Sequence, residues 1–238
     1  MNDEILLLAY DRPHYLKQVV AGIQAMRVPA GWNVVSSVDV GEWFPVPEVV
    51  SLVRRVSSDV SVQPQHRGCN QHVRLALTAA FDRGVDHLLY LEDDIVPSPD
   101  CLEFCMDHMA MLDSMPRIKG MQLLGENHGD VHVAWRNRHG FKAHRWFNAW
   151  GNFWSRRGLG EILNEWSSSW DDNPAPWDNL LCGRFLDREW LTLTPLLSRV
   201  RNIGETGCFM KRPEDYTRCA RDFWAGSDFS RPIASDFR

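Results

Sequence analysis

The fold of this chain is decided by the stretch His87-Leu88-Leu89-Tyr90-Leu91-Glu92-Asp93-Asp94-Ile95-Val96-Pro97-Ser98-Pro99. Its first half is an apolar run that is too short for a typical helix, and this pattern predicts a strand buried on both faces. Three consecutive carboxylates follow the strand, and two prolines then prevent its continuation. Strands buried on both faces belong to α/β sheets, which bind ligands at the carboxyl ends of their strands.

The acid triplet after this strand predicts a metal site. Glu92, Asp93 and Asp94 repel one another and are costly to bury unless a cation lies among them. Carboxylate oxygens suit a hard divalent ion such as Mg²⁺ or Mn²⁺, and such an ion suits a diphosphate. The alternative is an acidic turn that precedes a helix, since Ser98 and Asp100 are both good N-caps. The position at the end of a buried strand favours the metal.

The composition of the chain is that of a globular protein. Its 238 residues, 44% hydrophobic and 24% charged, fit one large α/β domain or one domain with a small appendage. The net charge of -5 gives no argument for nucleic acid or an anionic membrane. The acidic start predicts no signal peptide, and no apolar run approaches the ~20 residues of a membrane span. Six cysteines without zinc-site spacing indicate reduced thiols and a cytoplasmic protein.

Strand and helix patterns alternate in the N-terminal part of the chain. Apolar runs predict strands at 5–10, 33–39 and 60–62, ahead of the acidic strand. Helical periodicity predicts helices at 14–26, 49–53 and 70–83. This alternation is typical of a parallel sheet with right-handed crossovers. Arg12, Asp39 and the acid triplet follow strands one, two and four, so we expect them to lie together at the carboxyl edge of the sheet.

The later part of the chain is rich in tryptophan. Its predicted elements are a helix at 101–115, strands at 120–124, 131–135 and 191–194, a helix capped by Ser155, and a polar loop at 167–179. Seven of the eleven Trp residues lie between Trp135 and Trp177. Aromatic faces can stack on the rings of a ligand, so Trp146, Trp150 and Trp177 are candidates to line a binding groove, while most of the cluster is expected in the core.

Six motifs follow one another along the chain. They are Tyr10-Asp11-Arg12 after strand one, Asp39 after strand two, His72-Val73-Arg74-Leu75-Ala76-Leu77 on a helix, Glu92-Asp93-Asp94 with Pro99-Asp100, Trp177-Asp178 and Ser198-Arg199. Together they resemble the motifs of GT-A-fold glycosyltransferases, most closely the β-1,2-N-acetylglucosaminyltransferases of the N-acetylglucosaminyltransferase I type. The resemblance spans roughly residues 5–207. It implies an α/β GT-A fold in which a mostly parallel central sheet is flanked by helices.

The resemblance also implies an activity. The expected enzyme is a metal-dependent, inverting glycosyltransferase that moves a sugar, expected to be GlcNAc, from a UDP-sugar to a glycan or another hydroxyl acceptor. Mn²⁺ or Mg²⁺ is its expected cofactor. The implied site residues are Asp94 for the metal, Glu92 and Asp93 for the ribose and the metal's waters, Arg12, Asp39 and His72 for the nucleotide, and Asp178 for catalysis as the base.

The same resemblance divides the chain. Residues 1–210 are expected to form the catalytic domain, with a nucleotide-sugar half at about 1–100 and an acceptor half at about 101–210. Residues 211–238 are expected to be a short tail that packs on the acceptor side. Asn179 stands where the family often has a second Asp, and the acceptor region of the family is reduced to this tail. The identity of the acceptor therefore does not follow.

Other interpretations compete with these assignments. His72 on an apolar helix face is commonly a satisfied core histidine, and Asp39 could be a turn acid. Asp171 and Asp172 are expected to be solvated loop acids, with Asp172 the second candidate for the base. A nucleotidyltransferase of similar topology should carry a Gly-rich loop and a Lys after strand one, where this chain has Arg12-Pro13. A Trp-rich carbohydrate-binding module would have little use for acids on a buried strand.

Overall fold

The computed structural model describes residues 2–41, 46–125 and 136–206. Within these ranges the strands are β1 (Asp3–Ala9), β2 (Trp32–Val38), β3 (Asp59–Val62), β4 (His87–Glu92), β5 (Ile95–Pro97), β6 (Ile118–Gln122), β7 (Phe141–His144), β8 (Asn152–Ser155), β9 (Leu191–Pro195) and β10 (Val200–Asn202). The helices are α1 (Pro13–Ala25), α2 (Val46–Val53), α3 (Cys69–Asp82), α4 (Cys101–Met106), α5 (Met109–Ser114), α6 (Arg156–Glu165) and α7 (Trp177–Asp187), with a 3₁₀ turn at Ser168–Trp170.

Eight of these strands form one mixed sheet in the order β3-β2-β1-β4-β8-β6-β9-β7. The first four are parallel, as predicted. Strand β8 runs antiparallel between β4 and β6, and β7 runs antiparallel to β9 at the edge. Strands β5 and β10 form a separate antiparallel pair. The sheet is therefore parallel from β3 to β4 and mixed beyond β4.

The core lies on both faces of this sheet, because β1 and β4 are apolar at successive positions. Ile5 and Leu7 pack on the side of α1, whereas Leu6 and Leu8 pack on the side of α3. The predicted apolar face of α1 is buried, through Leu16, Val19, Val20 and Ile23. Each such side chain stabilises the fold by about 1.5–3 kcal/mol when it is fully buried. This two-sided packing holds the strand ends in register.

Two predicted segments differ from the structure. The helix expected at 101–115 is interrupted after α4, because His108 Nδ1 bonds the Phe104 carbonyl at 2.7 Å, the group that a continuous helix would pair with the His108 amide. The polar loop expected at 167–179 ends early, since α7 begins at Trp177. The N-cap at Ser155 is confirmed, because its Oγ accepts from the Gly158 amide. The expected strand at 131–135 and the tail at 211–238 lie outside the described residues.

The helices are short compared with the thickness of a bilayer. Among the residues that the structure describes, none of the helices combines the length and the apolar character that a bilayer crossing requires. The longest of them, α3, has 14 residues.

Candidate active site

The carboxyl ends of β1, β2 and β4 meet at one edge of the sheet. Leu8 pairs with Glu92 and Ala9 pairs with Val38, so the residues that follow these strands emerge side by side. They border a cavity of about 480 Å³, a size typical of small-molecule sites. All seven predicted site residues line this cavity: Arg12, Asp39, His72, Glu92, Asp93, Asp94 and Asp178. The tertiary structure thus brings together residues that are far apart in the sequence.

Arg12 is the cation that lies among the acids. Its guanidinium donates to Asp94 Oδ2 at 2.7 Å and also to Asp93 Oδ1. Asp93 Oδ2 accepts the backbone amide of Tyr10 at 3.1 Å. Burial raises the pKa of Asp93 to about 6, although Arg12 opposes the shift. The pKa of Arg12 is raised by Asp94 and Asp93 against the opposing effect of burial, so this side chain stays charged. The turn after β4 is thus tied to the turn after β1.

The pKa of Glu92 is raised further than that of Asp93. Burial and the nearby Asp94 raise the pKa of Glu92 to about 8. The Tyr90 hydroxyl donates to its Oε1 at 2.5 Å. Two of the three acids, Asp93 and Asp94, are therefore compensated by Arg12 at neutral pH, while Glu92 avoids ionisation.

Asp94 has room and capacity for a further cation. Its Oδ1 is buried without a hydrogen-bond partner. Beside it, a Cβ on Gly204 would collide with Asp94 Oδ2, so the backbone approaches this carboxylate as only glycine allows. Within the described ranges no group of three or more His, Cys, Asp or Glu side chains could hold a metal ion by itself. Mg²⁺ and similar ions often take one or two carboxylates and complete their shell with substrate phosphates and water. Asp94 fits a site of that kind.

Asp39 anchors the loop that precedes α3. Its carboxylate accepts the backbone amides of Val40, Arg67 and Gly68 at 3.0–3.1 Å. It also pairs with His66 Nδ1 at 3.0 Å. These contacts use the acceptor positions that a carboxylate offers. A nucleobase could bond Asp39 only by sharing or replacing one of them.

His72 stands on the cavity wall as a buried, satisfied histidine. Its Nε2 lies 2.8 Å from Ser37 Oγ. Burial lowers the pKa of His72 to about 4, with Asp39 opposing the shift. The ring is therefore neutral at physiological pH. This geometry agrees with the core-histidine interpretation while keeping the residue at the edge of the cavity.

His66 is a cavity residue that the sequence patterns did not indicate. Its ring stacks on Tyr10 with centroids 5.1 Å apart and an interplanar angle of 25°. The side chain is 48% exposed. It lies in an irregular segment after β3, where no periodicity marks a functional residue. Asn148 and Asn202 also line the cavity without a sequence signal.

Asp178 faces the cavity from the first turn of α7. Its Oδ1 accepts the Asn179 amide at 2.9 Å, and its Oδ2 accepts the Ala149 amide at 3.4 Å. Burial raises its pKa. Asp171 is instead paired with Arg74, and Asp172 is exposed and away from the cavity. Of these three acids, only Asp178 can meet a ligand in this cavity.

The three candidate tryptophans all line the cavity, but differently. Trp177 is 1% exposed and stacks on Trp166 with centroids 5.4 Å apart, so it is chiefly a core residue. Trp146 and Trp150 are half-buried at the cavity wall. Asn148 holds the turn between them, since its Oδ1 accepts the Trp150 amide and its Nδ2 donates to Gln122. Of the three tryptophans, these two therefore offer exposed aromatic surface to a ligand in the cavity.

Comparisons with known proteins identify the fold. No family model and no curated protein matches the chain. A mannosyltransferase from Pyrobaculum calidifontis, solved with GDP-Man and Mn2+, matches with a TM-score of 0.55 and 14% identity over 82% of this chain and 54% of that chain. Residues 1–349 of TarS from S. aureus match with a TM-score of 0.59 and 12% identity over 100% of this chain and 68% of that chain.

These likenesses show the fold, which is the GT-A fold expected from the sequence. The chain spans about half the length of the mannosyltransferase. A cytidylyltransferase from Leptospira borgpetersenii also matches, with a TM-score of 0.48 and 13% identity, a likeness too distant to carry an argument. The activity therefore has to be argued from the cavity.

Proposed function

We propose that this protein is a metal-dependent, inverting glycosyltransferase that transfers GlcNAc from UDP-GlcNAc to a hydroxyl group of a glycan or related acceptor. The observation that carries the proposal is the content of one cavity: Arg12, the Asp93-Asp94 pair to which it is bonded, and Asp178 all line it. The mannosyltransferase of similar fold was solved in complex with GDP-Man and Mn2+, which supports a nucleotide-sugar and metal site here. The resemblance of the sequence motifs to those of the N-acetylglucosaminyltransferase I type supports uridine as the base and GlcNAc as the sugar of the donor.

The donor would lie against the ends of β1, β2 and β4. Arg12 would face the diphosphate, where a fixed positive charge stabilises the negative charge that develops on the leaving group. Asp94 would hold Mn²⁺ or Mg²⁺ through its unpartnered Oδ1, and the bound ion would supply further charge stabilisation for the diphosphate. Glu92 and Asp93 would hold the ribose and the ion's water ligands.

Asp178 would act as the base. It accepts the proton of the acceptor hydroxyl while that oxygen forms its bond to the anomeric carbon and the bond from this carbon to the phosphate oxygen breaks. The electron pair of the broken bond leaves with UDP. A single displacement of this kind inverts the anomeric configuration, so an α-linked donor gives a β-linked product. The raised pKa of Asp178 suits a group that must take up a proton.

The experiment that tests this function is a donor panel. UDP-GlcNAc, UDP-glucose and GDP-mannose are incubated with the protein, glycan acceptors and Mn²⁺ or EDTA, and release of the nucleoside diphosphate is measured. We expect metal-dependent release of UDP from UDP-GlcNAc and a β-linked product by NMR. Preferred use of GDP-mannose would contradict the donor, and an α-linked product would contradict inversion. Release of pyrophosphate from a nucleoside triphosphate would indicate a nucleotidyltransferase, and saccharide binding without turnover a carbohydrate-binding protein.

A further inference from the structure

Asn70, in the first turn of α3, makes an unusually complete set of contacts. It is 3% exposed. Its Nδ2 donates to the carbonyls of Trp170 at 2.8 Å, Asn173 at 3.2 Å and Ala175 at 3.0 Å. Its Oδ1 accepts the backbone amide of Trp177 at 2.9 Å. One side chain on the nucleotide side of the molecule therefore binds the whole segment that leads into α7.

The contact with Trp177 replaces a missing helix cap. The first amides of a helix have no partner within the helix, and a side chain at the N-cap position usually supplies one. The N-cap residue of α7 is Pro176, which makes no such bond. Asn70 supplies the acceptor from α3, 107 positions away in the sequence. The direction in which α7 begins is thereby set by α3.

This cap lies next to the proposed base. Asp178 follows Trp177 directly, and both residues lie in the first turn of α7. Catalytic groups must be held closely, since a displacement of about 1 Å can cost on the order of 100-fold in rate. A change in the start of α7 would move Asp178 relative to a donor bound at the ends of β1 and β4.

We propose that Asn70 is a positioning residue that sets the place of Asp178 against the donor. The proposal rests on the proposed function. Asn70 does so through two kinds of bond, the cap on Trp177 and the bonds to the three carbonyls, which link the nucleotide half to the acceptor half. None of these four bonds is made to Asp178 itself, so the effect of Asn70 on catalysis passes through the backbone of α7.

The chain offers a matched control one helical turn further along α3. Arg74 forms two hydrogen bonds with Asp171, at 2.8 and 2.6 Å, and so ties the same segment to the same helix. These two bonds leave the Trp177 amide untouched. Arg74→Gln therefore loosens the segment without removing the cap, while Asn70→Ser removes the cap. Asn70→Gln keeps the amide but displaces it by one methylene, and it serves if Asn70→Ser does not fold.

The test is a double-mutant cycle with Asp178→Asn. We expect Asn70→Ser to lower kcat by about 10- to 100-fold while the KM for UDP-GlcNAc and the Kd for UDP change by less than about threefold. Arg74→Gln should change kcat by less than about threefold. In the Asp178→Asn protein, Asn70→Ser should lower the remaining rate by less than about threefold, because the group that it positions is already gone.

Several results would overturn the role of Asn70. They are an equal loss of kcat in both backgrounds, a similar loss with Arg74→Gln, or a loss confined to KM. Hydrogen exchange at the Trp177 amide adds a readout that needs no turnover, and it should become faster in Asn70→Ser and Asn70→Gln only; unchanged exchange also contradicts the cap. Failure of the proposed function looks different: wild-type protein would then release no UDP from the donor, or Asp178→Asn would turn over at a near-normal rate.

Discussion

Arg12 and Asp94 form an ion pair of 2.7 Å that joins the turn after β1 to the turn after β4. The pair is extended by Asp93 and by the Thr206 carbonyl, which accepts from the same guanidinium at 3.0 Å. A cation among these acids is required for their burial, and the chain supplies its own. The stability of this edge of the sheet should therefore depend on Arg12.

Arg12→Gln is expected to destabilise the protein by about 2 kcal/mol, because it leaves Asp93 and Asp94 without their cation. This value is below the roughly 3–5 kcal/mol of a fully buried pair, since the Arg12 side chain is 21% exposed. Urea unfolding measures the loss, and added Mn²⁺ should recover part of it by binding Asp94. Arg27→Gln is the control: it breaks an exposed pair with Glu103 and should cost less than about 0.5 kcal/mol. Equal effects of the two substitutions would contradict the prediction.

Gly204→Ala should weaken Mn²⁺-dependent UDP binding by about tenfold or more, roughly the loss of one hydrogen bond to a charged group. The new Cβ would meet Asp94 Oδ2 and push the carboxylate out of place. Titration calorimetry with and without Mn²⁺ measures the effect. Gly183→Ala is the matched control, because nothing lies within 4 Å of its added Cβ and alanine favours the α7 helix. Normal binding by the Gly204 variant would argue against Asp94 as the metal ligand.

Asp39→Asn is expected to have two separate effects. An amide in this place would set an N–H₂ group against the amides of Val40 and Arg67 or against those of Arg67 and Gly68, depending on which oxygen it replaces, so the loop before α3 should lose stability. The preference for UDP over GDP should also fall, because the loss of a hydrogen bond to a charged group costs about 1.5–3 kcal/mol. Thermal unfolding reports the first effect and competition binding the second. Lower stability with unchanged discrimination would leave Asp39 as a loop anchor alone.

His72 should make stability depend on pH. Its pKa is lowered by burial from 6.5 to about 4 in the folded state, so between these values the unfolded state binds the extra proton. The contribution of neutral His72 is therefore complete above pH 6.5 and is lost as the pH falls toward 4, by about 3 kcal/mol in total. Urea unfolding at about pH 4.5 and about pH 7.5 measures the slope. His72→Gln should have a shallower slope than the wild type, and identical slopes would contradict the prediction.

Local patterns in the sequence were sufficient to predict the parallel part of the sheet. The parallel strands β1 to β4 and the helices between them were predicted within a few residues, because continuous apolar runs and helical periodicity reflect burial on one or two faces. Because the carboxyl ends of parallel strands lie along one edge of a sheet, the predicted strands also placed Arg12, Asp39 and the acid triplet together at that edge. The antiparallel insertion of β8 and the start of α7 at Trp177 were missed, since both depend on contacts rather than on local pattern.

The sequence by itself thus determined which residues lie at the strand ends, because short apolar runs predict where buried strands begin and end. Only the tertiary structure decided what those residues contact. Arg12 meets Asp94 across 82 positions, the acceptor positions of Asp39 are taken by amides 28 and 29 positions away, and Asn70 caps α7 across 107 positions. Such bonds depend on distances of a few ångströms between packed elements, and residue spacing along the chain carries no information about them.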